Sequence, residues 1–430
     1  MNTSSEGSGV PDATPLAEWF QSLPAARHVV WIGFVFACFQ ATLQTPYSVI
    51  STSTSANVFT ALICGTVLVM AILFLRSSAI RVRRAEILVS AAVTCLGALS
   101  AWFSDTPGPS LIRVLVMIVP GLAGYWTARL LIDCSHSRKV LQWWFLALLV
   151  ITLVCAAAGV AYSGKIHELI DSHWHPVGSR ILLFQYAPLS MLGSESSSVV
   201  GLAIAVLGLS YGGLLIAGRY AGMESVVLIP VVLCLLVLCL SKRRSLRTAG
   251  LVFLLVAVLA LGYIVRQNAR NLAKEHQSVA YRVENVFFSL HIAAGHPWLG
   301  IGPLGPRGPH LKDYEVRYPY VTKKVFSQWT GQLRTSENTP LTLLVDFGLP
   351  FSILYLFSVL YLGWQLIRLS LLPAVRLKPH PMAVLLPLAG AFLHFNVTEG
   401  LYQPHISWFF HILLGLVLTL KDEAEAQRCG

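Results

Sequence analysis

Long apolar runs alternate with short polar segments along most of the chain. A run of about 18 or more mainly apolar residues is long enough to cross a hydrocarbon core of about 30 Å as an α-helix. Eleven such runs can be recognised, at residues 29–46, 57–75, 86–104, 111–132, 140–162, 197–217, 224–241, 249–267, 343–367, 381–396 and 405–420. The pattern therefore predicts an all-α integral membrane protein.

Two basic clusters set the expected orientation, because Lys and Arg concentrate in cytoplasmic loops. Arg76–Arg84 and Ser241–Arg247 should both be cytoplasmic, so an even number of spans must separate them, yet five clear runs lie between them. Arg180–Gly193 is the candidate for the missing span. It is short and contains Pro188, so we expect it to be tilted, broken or buried among other helices. The prediction is about twelve transmembrane helices.

Twelve spans place both termini in the cytoplasm and one long loop outside. The predicted regions are a cytoplasmic tail (1–28), an N-terminal transmembrane bundle (29–267), an external loop containing short helices (268–340), C-terminal transmembrane helices (341–420) and a cytoplasmic tail (421–430). Lys and Arg outnumber Asp and Glu in the loop. This excess is either a solvated surface or an anion site at the outer membrane face.

Composition supports the membrane assignment. The chain is 55% hydrophobic and 12% charged, against roughly 25% charged residues in soluble globular domains. These values exclude a soluble enzyme and a nucleic-acid-binding protein. The formal net charge of +11 partly reflects the basic clusters beside the spans. The first 26 residues lack an apolar signal-peptide core, so the first span is expected to act as the insertion signal.

Two further polar segments are expected outside the membrane. Ser163–Arg180 has the helical spacing of an amphipathic segment that lies on the bilayer, with Trp174 at the interface. Gly218–Glu224 reads as a tight turn that holds Arg219 at the outer boundary. Arg219 either extends towards water or, facing the bundle interior, offers a fixed set of donors for phosphate.

The most unusual polar stretch is "GHPWLGIGPLG", Gly295–Gly305. Its glycines allow positive φ angles, and such a turn can also bring main-chain N–H groups close to an anion. The alternative is an ordinary loop exit with Trp298 as an interface anchor. His296 is expected to have a structural role at the helix end rather than a catalytic one.

Three motifs in order resemble those of bacterial O-antigen ligases and the related O-antigen and exopolysaccharide polymerases, which are membrane C-type glycosyltransferases. The matching positions are Arg219 in "GRYAGMESVVLIP", then Arg282, His296, Pro297, Gly300 and Gly302 in "YRVENVFFSLHIAAGHPWLGIGP", and Asn338, Leu341 and Gly348 in "ENTPLTLLVDFGLP". The resemblance implies a multi-pass protein of the bacterial inner membrane, with a large periplasmic loop and an active site facing the periplasm.

The resemblance also implies a reaction. A glycan on undecaprenyl diphosphate would be moved to a sugar hydroxyl, either of another lipid-linked glycan (a polymerase) or of the lipid A core (a ligase). The diphosphate requires fixed positive charge as its bond to the sugar breaks. Arg219 and Arg282 are the predicted catalytic arginines. Weaker candidates for binding donor or acceptor are Arg334, Lys323, Lys324, Arg180 and His296.

The chain departs from the family at one position. The usual histidine before the asparagine is Glu337 here. A carboxylate can also remove a proton from an attacking sugar hydroxyl, so Glu337 is the predicted base, with Asn338 orienting the acceptor or the carboxylate. Alternatively, Glu337 is an acid ahead of the helix that begins near Pro340, where the helix dipole favours negative charge. The exchange slightly favours a polymerase over a ligase.

No cofactor is expected, and an inverting, metal-independent mechanism is the simpler inference. The outer loops contain no acidic metal motif, and the pair His173 and His175 lacks a visible third ligand. Two other functions stay open. A lipid-linked glycan flippase or secondary transporter would usually show internal repeats, and none is evident. A membrane scaffold would need neither Arg219 nor Glu337.

Overall fold

All regular structure in the described part of the chain is helical. The computed structural model describes residues 22–43, 54–74, 83–162, 174–194, 196–220, 284–303, 305, 307–317, 338–372, 377–395 and 400–429, and the single positions 18, 248, 251, 255 and 259. The helices are α1 (Ala25–Leu43), α2 (Thr54–Phe74), α3 (Arg84–Trp102), α4 (Pro107–Leu131), α5 (Ser135–Tyr162), α6 (Trp174–Phe184), α7 (Tyr186–Met191), α8 (Ser197–Tyr220), α9 (284–295), α10 (Gly308–Arg317), α11 (Thr339–Ser370), α12 (Met382–His394) and α13 (Pro404–Cys429). The predicted all-α class is confirmed.

Six of these helices are long and apolar enough to cross a membrane, namely α1, α3, α4, α5, α11 and α13. Shorter apolar helices are found in α2, α8 and α12. The chain is therefore a multi-pass membrane protein. The count of twelve stays a prediction, because the predicted spans 224–241 and 249–267 fall largely outside the described residues.

Helix α13 lies at the centre of the bundle and packs most extensively on α4. Two glycines allow the backbones to approach closely. A Cβ atom on Gly124 would lie 2.5 Å from the carbonyl oxygen of Trp408, and one on Gly415 would lie 2.5 Å from that of Tyr125. Small residues at such positions are typical of membrane helix pairs. Helices α1, α2, α3 and α11 also pack on this pair, and α6 and α12 pack on α13.

The weak segment between α5 and α8 is a broken, buried element. Helix α6 ends at Phe184, Gln185 interrupts the helix, and α7 follows. The side chains of Ile181–Ala187 are almost completely shielded from solvent. The expectation of a broken or buried segment is confirmed. The prediction that Ser163–Arg180 lies on the bilayer is wrong for Ser179 and Arg180, because both are buried inside the bundle.

Polar side chains are concentrated at the two ends of the bundle. We call the end at which α13 finishes the tail end, and the end against which residues 284–317 pack the loop end. At the tail end, Arg129 is 1% exposed and binds Glu86 at 3.1 Å and Asp422 at 2.9 Å. Arg83 contacts Asp422 at 2.8 Å, and Tyr125 donates a hydrogen bond to Glu86. The C-terminal helix is therefore fastened to α3 and α4 by charge.

Other ion pairs extend this tail-end network. Arg138 binds Glu423, and Arg27 binds Asp133. The guanidinium of Arg138 also donates a hydrogen bond to the carbonyl of Lys378. Arginine suits such sites because its planar fork can reach several acceptors at once.

Breaking the buried pair should destabilise the bundle. Glu86→Gln leaves Arg129 buried with the partly exposed Asp422, and loss of one partner of a buried pair costs about 3 kcal/mol or more. We expect a clearly lower midpoint of unfolding in detergent. Glu425→Gln is the control, because Glu425 forms exposed pairs worth less than about 1 kcal/mol. Equal midpoints for the two variants would contradict this role of Glu86.

Candidate functional site

The described part of the loop forms a small hydrophobic core on the start of α11. Phe288 and Ile292 of α9, Leu311 and Tyr314 of α10, Ile301 of the turn and Val345 of α11 make up this core. The hydroxyl of Tyr314 donates a hydrogen bond of 2.8 Å to the buried Glu284. Apolar burial thus holds the loop helices against a membrane-spanning helix.

The Gly/Pro-rich turn after α9 is joined to α11 through the main chain. Three backbone hydrogen bonds connect them, from Ile301 to Val345 at 2.9 Å, from Gly302 to Asp346 at 3.0 Å and from Leu349 to Pro297 at 2.7 Å. They are possible because α11 is interrupted at Gly348, with φ 78° and ψ 179°. The turn and the kink therefore form one docked unit.

Glycine is required on both sides of this contact. Gly300 and Gly302 have φ angles of 66° and 82°, which confirms the positive φ angles predicted for the turn. A Cβ atom on Gly302 would overlap Ser104, and one on Gly300 would lie 2.5 Å from the carbonyl oxygen of Asp346. A Cβ atom on Gly348 would lie 2.5 Å from the main chain of Trp298. The two glycine motifs thus serve one close backbone approach.

The proposed anion-binding use of the turn is wrong for its central N–H groups. The N–H of Gly300 donates to the carbonyl of His296, and those of Ile301 and Gly302 donate to α11. They are already satisfied, so they are not available to a ligand. Trp298, the predicted interface anchor, is 74% exposed.

A buried ion pair reinforces the docked unit. Arg307 approaches Asp346 at 3.3 Å, and the side chains are 1% and 4% exposed. The main-chain carbonyl of Asp346 accepts a second hydrogen bond, of 2.7 Å, from Ser100 of α3. The hydroxyl of Ser110 in α4 donates to the carbonyl of Pro303. The loop is therefore bonded to α4 and α11, and α11 is in turn bonded to α3 at the same point.

A second arginine lies beside this pair. The guanidinium carbon of Arg113, in the second turn of α4, is 5.2 Å from the centre of the Tyr402 ring, which is a cation–π geometry. Arg113 also interacts electrostatically with Asp346. Its Nε atom is buried and has no hydrogen-bond partner among the described residues.

The start of α11 lies next to the end of α12. Asn338 is the N-cap, and its side-chain oxygen accepts a hydrogen bond of 3.1 Å from the N–H of Leu341. The N–H of Thr339 donates to the carbonyl of Phe395 at 2.8 Å. Asn338 thus stabilises the helix end, whereas its predicted role towards the acceptor is untested. The helix begins within one residue of the predicted position at Pro340.

Buried polar groups lie next to the C-terminal end of α12. The hydroxyl of Ser179 lies 2.9 Å from Nδ1 of His394. Arg180, which is completely buried, donates to the carbonyl of Thr42 at 3.2 Å and interacts electrostatically with His405. Arg180 therefore belongs to the loop-end layer of the bundle, not to a surface segment.

His296 is placed on the outside of the loop. Its main-chain N–H donates a hydrogen bond to the carbonyl of Ile292 in the last turn of α9. The side chain is exposed, and the centre of its ring lies 5.0 Å from that of His310. Partial burial, followed by the neighbouring His296, lowers the pKa of His310, so that ring is neutral at pH 7. The expected structural role of His296 agrees with this position, and its role in binding is untested.

Five of the predicted site residues lie outside the described part of the chain. They are the predicted catalytic residues Arg282 and Glu337 and the binding candidates Lys323, Lys324 and Arg334. Arg219 is in the last turn of α8, which continues to Tyr220. The predicted tight turn Gly218–Glu224 is therefore wrong for Gly218–Tyr220, which are helical, and the rest of it lies outside the described residues.

Residues 197–356 match a family model described as O-antigen ligase. No curated protein matches the chain. The matched segment includes α8, the loop, the docked turn and α11 beyond its kink at Gly348. It thus contains all three motifs on which the resemblance rests. The match confirms the resemblance to the O-antigen ligase and polymerase superfamily.

Several polar residues of the loop end were not predicted from the sequence. They are Arg113, Asp346, His394 and Tyr402, which lie in or beside apolar runs, and Arg307, which lies in the loop. An ionisable side chain within a span is a signal in its own right. It would have singled out Arg113, Asp346 and His394, but not their pairing, which depends on how the helices pack.

The glycines of the two motifs should be needed for docking of the loop. Gly302→Ala and Gly348→Ala each force a side chain into a positive-φ position, at about 1–3 kcal/mol for the strain alone, and add a backbone or side-chain overlap. We expect faster proteolysis within 284–317 and a lower unfolding midpoint. Gly295→Ala is the matched control, because its Cβ atom would meet nothing within 4 Å. Unchanged proteolysis in Gly302→Ala would contradict the docking.

Proposed function

We propose that the chain transfers a glycan from undecaprenyl diphosphate to an acceptor sugar hydroxyl, with its loop end facing the periplasm of a bacterial inner membrane. The family match supports glycosyltransferase activity of the O-antigen ligase and polymerase type. The observation that carries the proposal is the loop-end layer, in which a matched loop is bonded to membrane helices around buried arginines. Such a layer can hold a lipid head group at the membrane boundary.

Arginines are proposed to stabilise the departing diphosphate. Arg219 and Arg282 have this role, with Arg180 as a further candidate and Arg334, Lys323 and Lys324 as weaker ones. Guanidinium groups stay charged at physiological pH and make bidentate contacts with phosphate. A donor aimed at developing charge contributes roughly 3 kcal/mol. The chemistry therefore needs no metal ion to neutralise the leaving group.

Glu337 is proposed as the base. The carboxylate accepts the proton of the acceptor hydroxyl as its oxygen attacks the anomeric carbon, and the diphosphate leaves with the bonding electron pair. Glu337 directly precedes Asn338, the N-cap of α11. A helix N-terminus favours the ionised form of a nearby acid, which is the form that a base requires. Its two predicted roles are compatible.

The acceptor is proposed to be another lipid-linked glycan, which makes the chain a polymerase. The exchange of the family histidine for Glu337 is the reason for this preference. A mainly apolar cavity of about 440 Å³ between α3, α4, α11 and α13 fits the lipid chain of the donor, which a polymerase and a ligase share. Sites for lipid chains need apolar walls.

The nature of the base gives a sharp test. Glu337→Gln keeps the shape of the side chain but removes its basicity, and we expect polymer formation to fall by about 10²-fold or more. Glu337→His should retain much of the activity, since histidine is also a base. The measurement is the polysaccharide ladder in cells that lack the chromosomal copy. Full activity of Glu337→Gln would remove Glu337 as the base.

The arginines can be tested in the same cells. Arg219→Gln and Arg282→Gln should each lower transfer about 10²–10³-fold, whereas the exposed Arg317 provides the control Arg317→Gln with normal transfer. A polymerase defect leaves lipid A carrying single repeat units. A ligase defect leaves lipid-linked polymer unattached. Lipid-linked units trapped on the cytoplasmic side would instead indicate a flippase and contradict the proposal.

A further inference from the structure

The strongest unexplained group in the described structure is Arg113. Its guanidinium lies over the Tyr402 ring, and its buried Nε has no hydrogen-bond partner among the described residues. The nearby carboxylate of Asp346 is already paired with Arg307. Two arginines therefore accompany one acid at this point of the loop end. Arg113 is half-buried, but its Nε is shielded from water and loses solvation that an anion can replace, which is a reason to expect an anionic ligand.

The apolar cavity lies one helical turn away from Arg113 along α4. Arg113 precedes the cavity-lining Met117 by four residues, so both lie on one face of α4. Tyr402 follows the cavity-lining Leu401. The cavity continues towards the tail end, where Glu86 and Leu418 line it. A positive group thus lies about one helical turn beyond the cavity, on its loop-end side.

This arrangement fits an amphipathic ligand. A lipid phosphate has a charged head that a guanidinium can bind and an apolar chain that the cavity can hold. Neither a free sugar nor a neutral lipid would use both features. We propose that Arg113, held flat against Tyr402, binds the diphosphate of the polyprenyl-linked donor while the polyprenyl chain enters the cavity. The proposal rests on the proposed function and adds a binding residue outside the matched segment.

Tyr402 orients Arg113 in this proposed site. Its ring fixes the plane of the Arg113 guanidinium, which reduces the side-chain freedom lost when the ligand binds. Tyr402→Phe keeps the aromatic face, whereas Tyr402→Leu removes it. The two variants separate the stacking from simple packing.

The test measures binding to the purified full-length protein in phosphatidylcholine nanodiscs. Farnesyl diphosphate is the probe, with farnesol and inorganic pyrophosphate as probes that lack the head or the chain. We expect farnesyl diphosphate to bind more tightly than either. Arg113→Gln should weaken its binding at least about tenfold, with farnesol unchanged, and Arg113→Lys should weaken it less. Arg317→Gln is the matched control and should bind as the wild type does.

The outcomes distinguish the two proposals. If the wild type and Arg113→Gln bind farnesyl diphosphate equally, the role of Arg113 is overturned and the proposed function stands. If the wild type binds none, both fail. Tyr402→Leu should weaken binding and Tyr402→Phe should not, while equal binding by both would overturn the role of the ring. Unfolding midpoints close to that of the wild type identify the variants that can be compared.

A phospholipid head group is the competing source of phosphate. Nanodiscs that contain phosphatidylglycerol distinguish the two. Retained binding of farnesyl diphosphate in these nanodiscs supports a diphosphate site. Displacement of the probe from the wild type by phosphatidylglycerol, with no such effect in Arg113→Gln, would assign Arg113 to a phospholipid and overturn the proposal.

Discussion

Buried charge in an apolar bundle must be compensated, and this constraint organises the described structure. A guanidinium or carboxylate removed from water loses solvation that other charges and hydrogen bonds must replace. Buried charged groups such as Glu86, Arg129 and Arg138 gather at the tail end, while Arg180, Arg307 and Asp346 gather at the loop end. Between these two layers the helices are in apolar contact, with Trp408, Phe145 and Phe184 completely buried. Each layer thus fixes one set of helix ends, and apolar packing joins the two.

The loop end shows why the motifs of the matched family occur together. The turn around Gly300 and Gly302 needs a break in the facing helix before its N–H groups can reach helix carbonyls, and Gly348 supplies that break. Neither motif has a structural reason without the other. A positive-φ glycine such as Gly348 inside a helix would otherwise only destabilise that helix. The same contact brings Arg307 to Asp346. The two motifs are therefore the two sides of one docking contact.

The helical class could be predicted from the length of the apolar runs, and the positive-φ turn could be predicted from its glycines. The broken segment at Gln185 was anticipated from Pro188 and from helix parity. The satisfaction of the turn's N–H groups by α11, and the burial of Arg180 beneath Thr42, could not be foreseen. Both depend on which helices are neighbours, and a polar residue in sequence looks the same whether its partner is water, a ligand or another helix.

The two charged layers differ in a way that bears on function. At the tail end, Arg27, Arg83, Arg129 and Arg138 each have a carboxylate partner. At the loop end Arg307 has one, but Arg113 has an aromatic face in its place within the described residues. A purely structural layer gains nothing from such an imbalance, because a paired arginine would stabilise the bundle more. A layer that receives an anion gains directly, since a carboxylate paired with Arg113 would compete with the ligand for the same donors. The tail end therefore serves stability, and the proposed anion binding accounts for the imbalance at the loop end.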